Sequence, residues 1–205
     1  MKIGLFGGTF NPPHIGHIKL AEEFREYLSL DKIIIMPVNI PPHKIPSTDT
    51  PHSSGDRLNM CRLAFDKEYF LVSDIEISRG GPSFTYDTLL ELKKLYPGAR
   101  IYLLIGSDML FYFDKWHRYN EILELCTLCA VSRTKDEDHS VMRAFAREVL
   151  GDTEDKIIIM ETEPCEISSS LIREKAAAGE SAGAYVPESV SAYIKAKGLY
   201  GAGVR

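Results

Sequence analysis

The stretch whose reading decides the fold is Gly4–Phe24, GLFGGTFNPPHIGHIKLAEEF. It passes from apolar residues through Gly7-Gly8 and Pro12-Pro13 to His14 and His17, then into a helical stripe of Ile18, Ala21, Phe24 and Leu28. A strand therefore turns into a helix across a glycine- and proline-rich loop, and two imidazoles stand where the helix begins. Gly7 and Gly8 permit a tight turn and close approach of the backbone to a ligand. A helix start offers unpaired N–H groups and the positive end of the helix dipole, which together attract phosphate. His14 and His17 add N–H donors at the same place, suited to charge that develops on a phosphoryl group. The loop is neither a G-x-x-x-x-G-K-[ST] loop nor a G-x-G-x-x-G loop. Zinc ligation is the competing reading of the pair, but no third ligand stands out nearby in the sequence.

The rest of the chain alternates in the same way. Strands are expected at Lys2–Phe6, Lys32–Pro37, Phe70–Ile77, Arg100–Ile105, Thr127–Ser132 and Lys156–Met160. KIIIMPV and IYLLIG are nearly continuous apolar runs, as expected of strands covered on both faces. DIEI alternates and reads as an edge strand or a differently oriented one. Helical stripes fill the gaps: Leu58, Cys61 and Phe65, opened by Ser53 and Asp56 at capping-box spacing; Leu89, Leu92 and Leu95; Val141, Phe145 and Val149. Near the end, SSSLIREKAAAGE reads as a helix stopped by Gly179, and VPESVSAYIKAKGLY as one opened by Pro187 and stopped by Gly198. The pattern predicts an α/β fold: a Rossmann-like, doubly wound, mostly parallel sheet with small C-terminal helices over about residues 165–205. Residues 1–205 are expected to form a single domain. Residues Asn39–Gly55 form a long polar loop with four prolines, a length that points to function.

Composition bounds the setting. The 205 residues carry 44% hydrophobic and 26% charged side chains, the balance of a globular chain with a sizeable core. The net charge of -5 argues against a nucleic-acid-coating surface. Only Lys2 precedes the first apolar residues, Gly7-Gly8 interrupt them, and no apolar run approaches the ~20 residues that cross a bilayer. A cytoplasmic location without membrane contact is the expectation. The oligomeric state is left open, a homo-oligomer included. The four cysteines, Cys61, Cys126, Cys129 and Cys165, do not suggest a disulfide scaffold. Cys126 and Cys129 have C-x-x-C spacing, but on a strand positions i and i+3 face opposite sides, so core thiols are favoured over a zinc or redox pair.

At this point the sequence resembles a known family. GGTFNPPHIGH matches the H-x-G-H signature of the nucleotidyltransferase superfamily at His14–His17, and EISSSLIRE resembles its second signature, I-S-S-T-x-x-R, at Ile167–Arg173. Within the superfamily the likeness is closest to the bacterial nicotinate-nucleotide adenylyltransferase family. PPHK at Pro41–Lys44, SDIEISRGGPSFTYDTLLEL from Ser73, LLIGSDML from Leu103, KWHRYNEIL from Lys115 and the terminal YIKAKGLY follow in order. The resemblance implies that the 5′-phosphate of nicotinate mononucleotide attacks the α-phosphorus of ATP, giving deamido-NAD and pyrophosphate, with Mg²⁺ accompanying ATP. No general base is needed, because the nucleophile is already an anion.

The same resemblance implies roles for single residues. His14, His17 and Arg173 act on the ATP phosphates, with Ser169 and Ser170 at the start of the second signature helix; a plain N-cap would also explain those serines. Gly8, Thr9 and Phe10 lie beside the nucleotide. Gly106 and Asp108 follow a buried strand, where Asp108 suits a ribose hydroxyl or, alternatively, caps a helix. Arg133 reaches phosphate or remains on the surface. Lys44 meets the mononucleotide phosphate, although a lone loop lysine is more often simply solvated. Trp116 stacks on the pyridine ring, and the backbone at Thr85 and His117 receives the nicotinate carboxylate. Asn11 stands where many relatives have Asp, Ser170 where the signature often has Thr, and His117 where some relatives have Tyr. A sister transferase acting on nicotinamide mononucleotide or phosphopantetheine, and a non-catalytic nucleotide sensor, are the alternatives. Retention of His14, His17 and Arg173 together argues against the sensor.

Overall fold

The computed structural model of the chain describes residues 1–42, 53–131, 139–151, 156–162 and 167–201. Its centre is a sheet of strands β1 (Lys2–Gly8), β2 (Lys32–Pro37), β3 (Phe70–Val72), β4 (Arg100–Gly106), β5 (Thr127–Val131) and β6 (Ile157–Met160). Their spatial order is β3-β2-β1-β4-β5-β6, and every pairing is parallel. β1 runs beside β2 from Ile3 opposite Lys32 to Gly8 opposite Pro37, and beside β4 from Lys2 opposite Arg100 to Phe6 opposite Leu104. The order reverses at β1, so a crevice opens beyond the carboxyl ends of β1 and β4, where such sheets bind ligands.

Helices cover both faces because the strand residues alternate between them. On one face Phe6, Ile33, Ile35, Leu104 and Cys129 pack with buried residues of α1 (Ile15–Leu28), α2 (Ser54–Ala64), α8 (Ser169–Ala177) and α9 (Glu188–Lys197). On the other, Leu5, Ile34, Met36, Leu103, Ile105 and Ala130 pack with α4 (Thr85–Leu95), α5 (Ser107–Leu110), α6 (Tyr119–Leu125) and α7 (His139–Glu148). α8 and α9 thus join the core of the sheet. Cys126 and Cys129 fall in different clusters, on opposite faces. Burial pushes the Cys126 thiol up to about 12 and the Cys129 thiol up as well, which suits core thiols. Gly4 is a packing glycine: a Cβ there would lie 2.8 Å from Leu30 Cδ1 and 3.0 Å from Leu104 Cδ1.

Several helix boundaries follow the expected chemistry. Ser53 accepts the Asp56 N–H at 3.1 Å, and its hydroxyl donates to the Asp56 carboxylate at 2.7 Å. Gly198 ends α9 in the left-handed region, φ 60°, where glycine carries no Cβ penalty.

Three expectations are corrected. β3 ends at Val72, and DIEI belongs not to a strand but to the short helix α3 (Ile75–Arg79), which turns a carboxylate, Glu76, inward. In α7 the buried positions are Met142 and Ala146, while Val141 and Val149 are exposed, so the core-facing stripe is offset by one residue. Leu95, at the last turn of α4, is exposed, and only Leu89 and Leu92 of its stripe are buried with Thr88. The expected continuation of strand β5 through Ser132, the larger part of the Asn39–Gly55 loop, and Cys165 lie outside the described residues. Among the described residues no helix is long and apolar enough to cross a membrane.

Candidate active site

A cleft of about 1600 Å³ opens at the carboxyl ends of β1, β2, β4 and β5. It is lined by Gly8, Thr9, Phe10, His14, His17, Thr85, Gly106, Asp108, Trp116, His117, Ser169, Ser170 and Arg173, so every candidate residue within the described residues comes to one place. Lys44 and Arg133 lie outside the described residues.

The phosphate-suited end is built from the opening stretch. β1 runs out at Gly7-Gly8, and a Cβ at Gly7 would meet no atom within 4 Å, so the backbone there is open to a ligand. Phe10 takes φ 48° and buries its ring in the core, edge-on to Phe6 and His17. Its side chain therefore supports the loop, and only its backbone remains for a nucleotide. His14 caps α1 and His17 occupies the third helical position. The His14 backbone N–H donates to His17 Nδ1 at 3.2 Å, and the two rings lie 3.6 Å apart, centroid to centroid. A backbone N–H can only donate, so Nδ1 of His17 accepts and the ring proton of the neutral imidazole sits on Nε2. His17 is thereby fixed as an N–H donor at a helix start. Its tautomer is set by the cap.

The second signature helix closes on the same loop. Ser168 caps α8 by accepting the Leu171 N–H at 3.2 Å. Ser169 donates to the Pro12 carbonyl at 2.9 Å, and Arg173 donates to the Asn11 carbonyl at 3.0 Å and to Ser170 Oγ at 3.0 Å. A guanidinium has five N–H donors in a fork that matches phosphate, more than these two bonds use. The cap is Ser168, while Ser169 and Ser170 open the helix and line the cleft. Asn11 is buried, with Oδ1 accepting from the Tyr200 hydroxyl at 2.6 Å. The side chain at this position of the cleft wall is thus a neutral amide, held through its oxygen by the far end of the chain.

The opposite wall is apolar and amide-rich. Gly106 ends β4 in extended conformation, and the exposed Asp108 sits in the first turn of α5. Phe84 precedes α4 in extended conformation, so Thr85 opens the helix with first-turn amides that have no intrahelical acceptor. The Trp116 ring packs tilted against Phe113, centroids 5.0 Å apart, and the His117 ring against Phe84, centroids 4.6 Å apart. Arg118 holds this loop against α4, its guanidinium 3.9 Å above the Tyr86 ring.

Sequence reasoning missed four cleft residues. Arg57 of α2 is 2% exposed, with Nη1 donating to the Thr9 carbonyl at 2.9 Å and Nη2 to the Asn39 carbonyl at 3.1 Å. Burial pulls its pKa down from the ordinary value, with Cys61 and Tyr200 opposing. Ser83 and Glu76 are buried together, and Glu76 accepts from the Thr88 hydroxyl at 2.7 Å. Burial pushes the Glu76 carboxyl up, while its hydrogen bonds to Thr88 and Ser83 oppose the shift. Tyr200 is the fourth, brought to the cleft from the far end of the chain. Arg57 stands beside the stripe of Leu58 and Cys61 and Glu76 within the alternating DIEI, and neither position carries a sequence signal of burial.

Comparison with known proteins agrees with this geometry. The cytidylyltransferase-like family model matches residues 5–175. The "Probable nicotinate-nucleotide adenylyltransferase" of Dehalococcoides mccartyi strain 195 is 42% identical over 98% of this chain and 97% of its own length. The protein of the same description from Geobacillus thermodenitrificans is 42% identical over 98% of this chain and 87% of its own length. Among solved structures, Plasmodium falciparum nicotinic acid mononucleotide adenylyltransferase complexed with NaAD superposes with a TM-score of 0.79 over 100% of this chain and 99% of that one. At 19% identity this likeness speaks to the fold.

Proposed function

The chain belongs to the cytidylyltransferase-like family, and within it to the nicotinate-nucleotide adenylyltransferases; from that premise we propose how its residues carry adenylyl transfer from ATP to nicotinate mononucleotide in NAD biosynthesis. The observation that carries the reading is one cleft with two unlike walls. One wall gathers imidazole, hydroxyl, guanidinium and two helix starts; the other presents an aromatic ring and the amides of α4.

ATP lies with its phosphates between the starts of α1 and α8, against His14, His17, Ser169, Ser170 and Arg173. Gly8, Thr9 and the Phe10 backbone flank it, and Asp108 with Gly106 receives the ribose at the end of β4. The mononucleotide lies with its pyridine ring on Trp116 and its carboxylate on the backbone donors at Thr85 and His117. Lys44 and Arg133 complete the set as phosphate contacts. An oxygen of the acceptor 5′-phosphate forms a bond to the α-phosphorus while the bond from that phosphorus to the bridging oxygen breaks, and pyrophosphate leaves with the electron pair. Negative charge grows on the bridging and non-bridging oxygens, where the His17 Nε2–H and the Arg173 fork stabilise it. No proton has to move, because the acceptor phosphate is already an anion.

Mg²⁺ arrives with ATP as part of that substrate. The side chains at the phosphate end are nitrogen and hydroxyl donors, which suit phosphate oxygens, whereas a hard cation takes carboxylate and carbonyl oxygens. Residues 1–205 work as one transferase domain, because α8 carries half of the phosphate end and packs in the core of the sheet. The reaction is placed in the cytoplasm, the compartment that suits buried free thiols. The test is product identification. Incubation with MgATP and nicotinate mononucleotide yields deamido-NAD and pyrophosphate in equal amounts; ATP hydrolysis without a dinucleotide product would refute the reading.

A further inference from the structure

Arg57 has no part in the reaction as described, yet it is a buried charge on the wall of the cleft. A guanidinium is costly to bury and is retained only with good acceptors. Here both acceptors are backbone carbonyls of cleft loops rather than partners in the core. Thr9 belongs to the loop between β1 and α1 that leads to His14, and Asn39 follows β2 on the acceptor side. The Asn39 N–H donates to Ser83 Oγ at 2.8 Å, and Ser83 leads directly into Phe84 and Thr85; beside them Glu76 accepts from the Thr88 hydroxyl at 2.7 Å. Thr88 in turn donates its own N–H to the Phe84 carbonyl at 3.2 Å, one residue before Thr85. A chain of hydrogen bonds and adjoining backbone, Thr9–Arg57–Asn39–Ser83–Phe84, thus runs from the nucleotide loop to the start of α4.

We propose that Arg57 is a positioning residue that couples the two substrates: by holding Thr9 and Asn39 at one spacing, it makes occupation of the ATP wall tighten the acceptor wall, and the reverse. The proposal rests on the adenylyl-transfer reading and goes beyond it. Such coupling is reciprocal and typically amounts to 5- to 150-fold in affinity. It also sets the line of attack, and a misplacement of about 1 Å costs on the order of 10²-fold in rate. Lysine retains the charge but has one nitrogen and no fork, so it cannot hold two carbonyls in different loops at a fixed spacing.

The test is calorimetric binding of nicotinate mononucleotide with and without saturating α,β-methylene ATP, alongside steady-state kinetics and thermal melting. For the unaltered protein the analogue tightens mononucleotide binding at least fivefold. In Arg57→Lys the enhancement falls below twofold and kcat falls on the order of 10²-fold, while the Kd of each ligand bound alone changes less than threefold. A role confined to stability would lower the melting temperature without removing the enhancement. If Arg57→Lys does not fold, Ser83→Ala decides, because it cuts the same chain by removing one hydroxyl; loss of the enhancement there supports the proposal. A folded Arg57→Lys or Ser83→Ala that keeps the enhancement overturns it. So does an unaltered protein that makes deamido-NAD but binds the two substrates independently, a result that leaves the adenylyl-transfer reading intact. Failure to make deamido-NAD at all overturns that reading itself.

Discussion

Replacing His17 with Ala separates two tasks that a single ring performs. Nδ1 accepts the His14 N–H at 3.2 Å and so belongs to the cap of α1, while Nε2 carries the proton that the proposed mechanism directs to the phosphates. Losing an N-cap acceptor costs about 0.5–2 kcal/mol of stability, and each kcal/mol lowers Tm by roughly 2–4 °C in a chain of this size. Losing one donor aimed at developing charge costs about 10²–10³ in kcat, or ~2.7–4 kcal/mol of transition-state stabilisation. The charge that matters builds during transfer, so KM for ATP should change much less than kcat. The assay is pyrophosphate release at saturating nicotinate mononucleotide across an ATP titration, with Tm measured on the same preparation. A His17→Ala protein that melts a few degrees lower and has lost two to three orders in kcat fits the geometry. A kcat within tenfold of the unaltered protein, or a loss confined to KM, would refute the role of the Nε2 donor.

Two glycines of β1 make an internal contrast. Gly4→Ala forces a Cβ to 2.8 Å from Leu30 and should cost about 1–3 kcal/mol through overpacking. Gly7→Val adds its side chain where nothing lies within 4 Å, so Tm should hold while KM for ATP rises; the reverse pattern in melting and kinetics would contradict the placement of the cleft. Glu76 supplies a pH dependence. Burial raises its folded-state pKa above the unfolded value, so its contribution to stability is fully present below the unfolded pKa and is lost as pH rises through the folded one. Relative to Glu76→Gln, the unaltered protein should therefore lose Tm as pH rises from the ordinary carboxylate range, and a Tm difference independent of pH would count against the raised carboxyl.

The doubly wound sheet was legible because its strands are apolar on both faces and its helices carry periodic stripes. The strand order was not, because parallel connections fix the hand of each crossover and not which strands are neighbours. DIEI deceived because four residues cannot distinguish alternation from one helical turn, and the inward turn of Glu76 rests on a hydroxyl of another helix, Thr88, which donates to it. In α7 apolar side chains occupy more than one face, so the sequence allowed two stripes and the packing of Met142 and Ala146 chose between them. The convergence of His14, His17, Ser169, Ser170 and Arg173 on one cleft was legible because they sit in two compact signatures at helix starts. Arg57 was not, because its acceptors are backbone carbonyls 48 and 18 residues away in the chain. Backbone carbonyls have no sequence signature. The role of the Phe10 ring was likewise hidden, since only its φ of 48° and the surrounding rings turn it into the core.

The choice of pyridine nucleotide tests the two-walled cleft most directly. Nicotinate differs from nicotinamide by a carboxylate in place of a neutral amide, and a helix start at Thr85 offers donors without matching acceptors. A hydrogen bond to a charged group contributes ~1.5–3 kcal/mol, so kcat/KM should favour nicotinate mononucleotide by about 10- to 150-fold. The measurement is pyrophosphate release with the two mononucleotides under identical MgATP. A preference of at least an order of magnitude for the acid is the predicted result; equal kcat/KM for the two would mean that Thr85 only opens a helix and that the acceptor wall does not read the carboxylate.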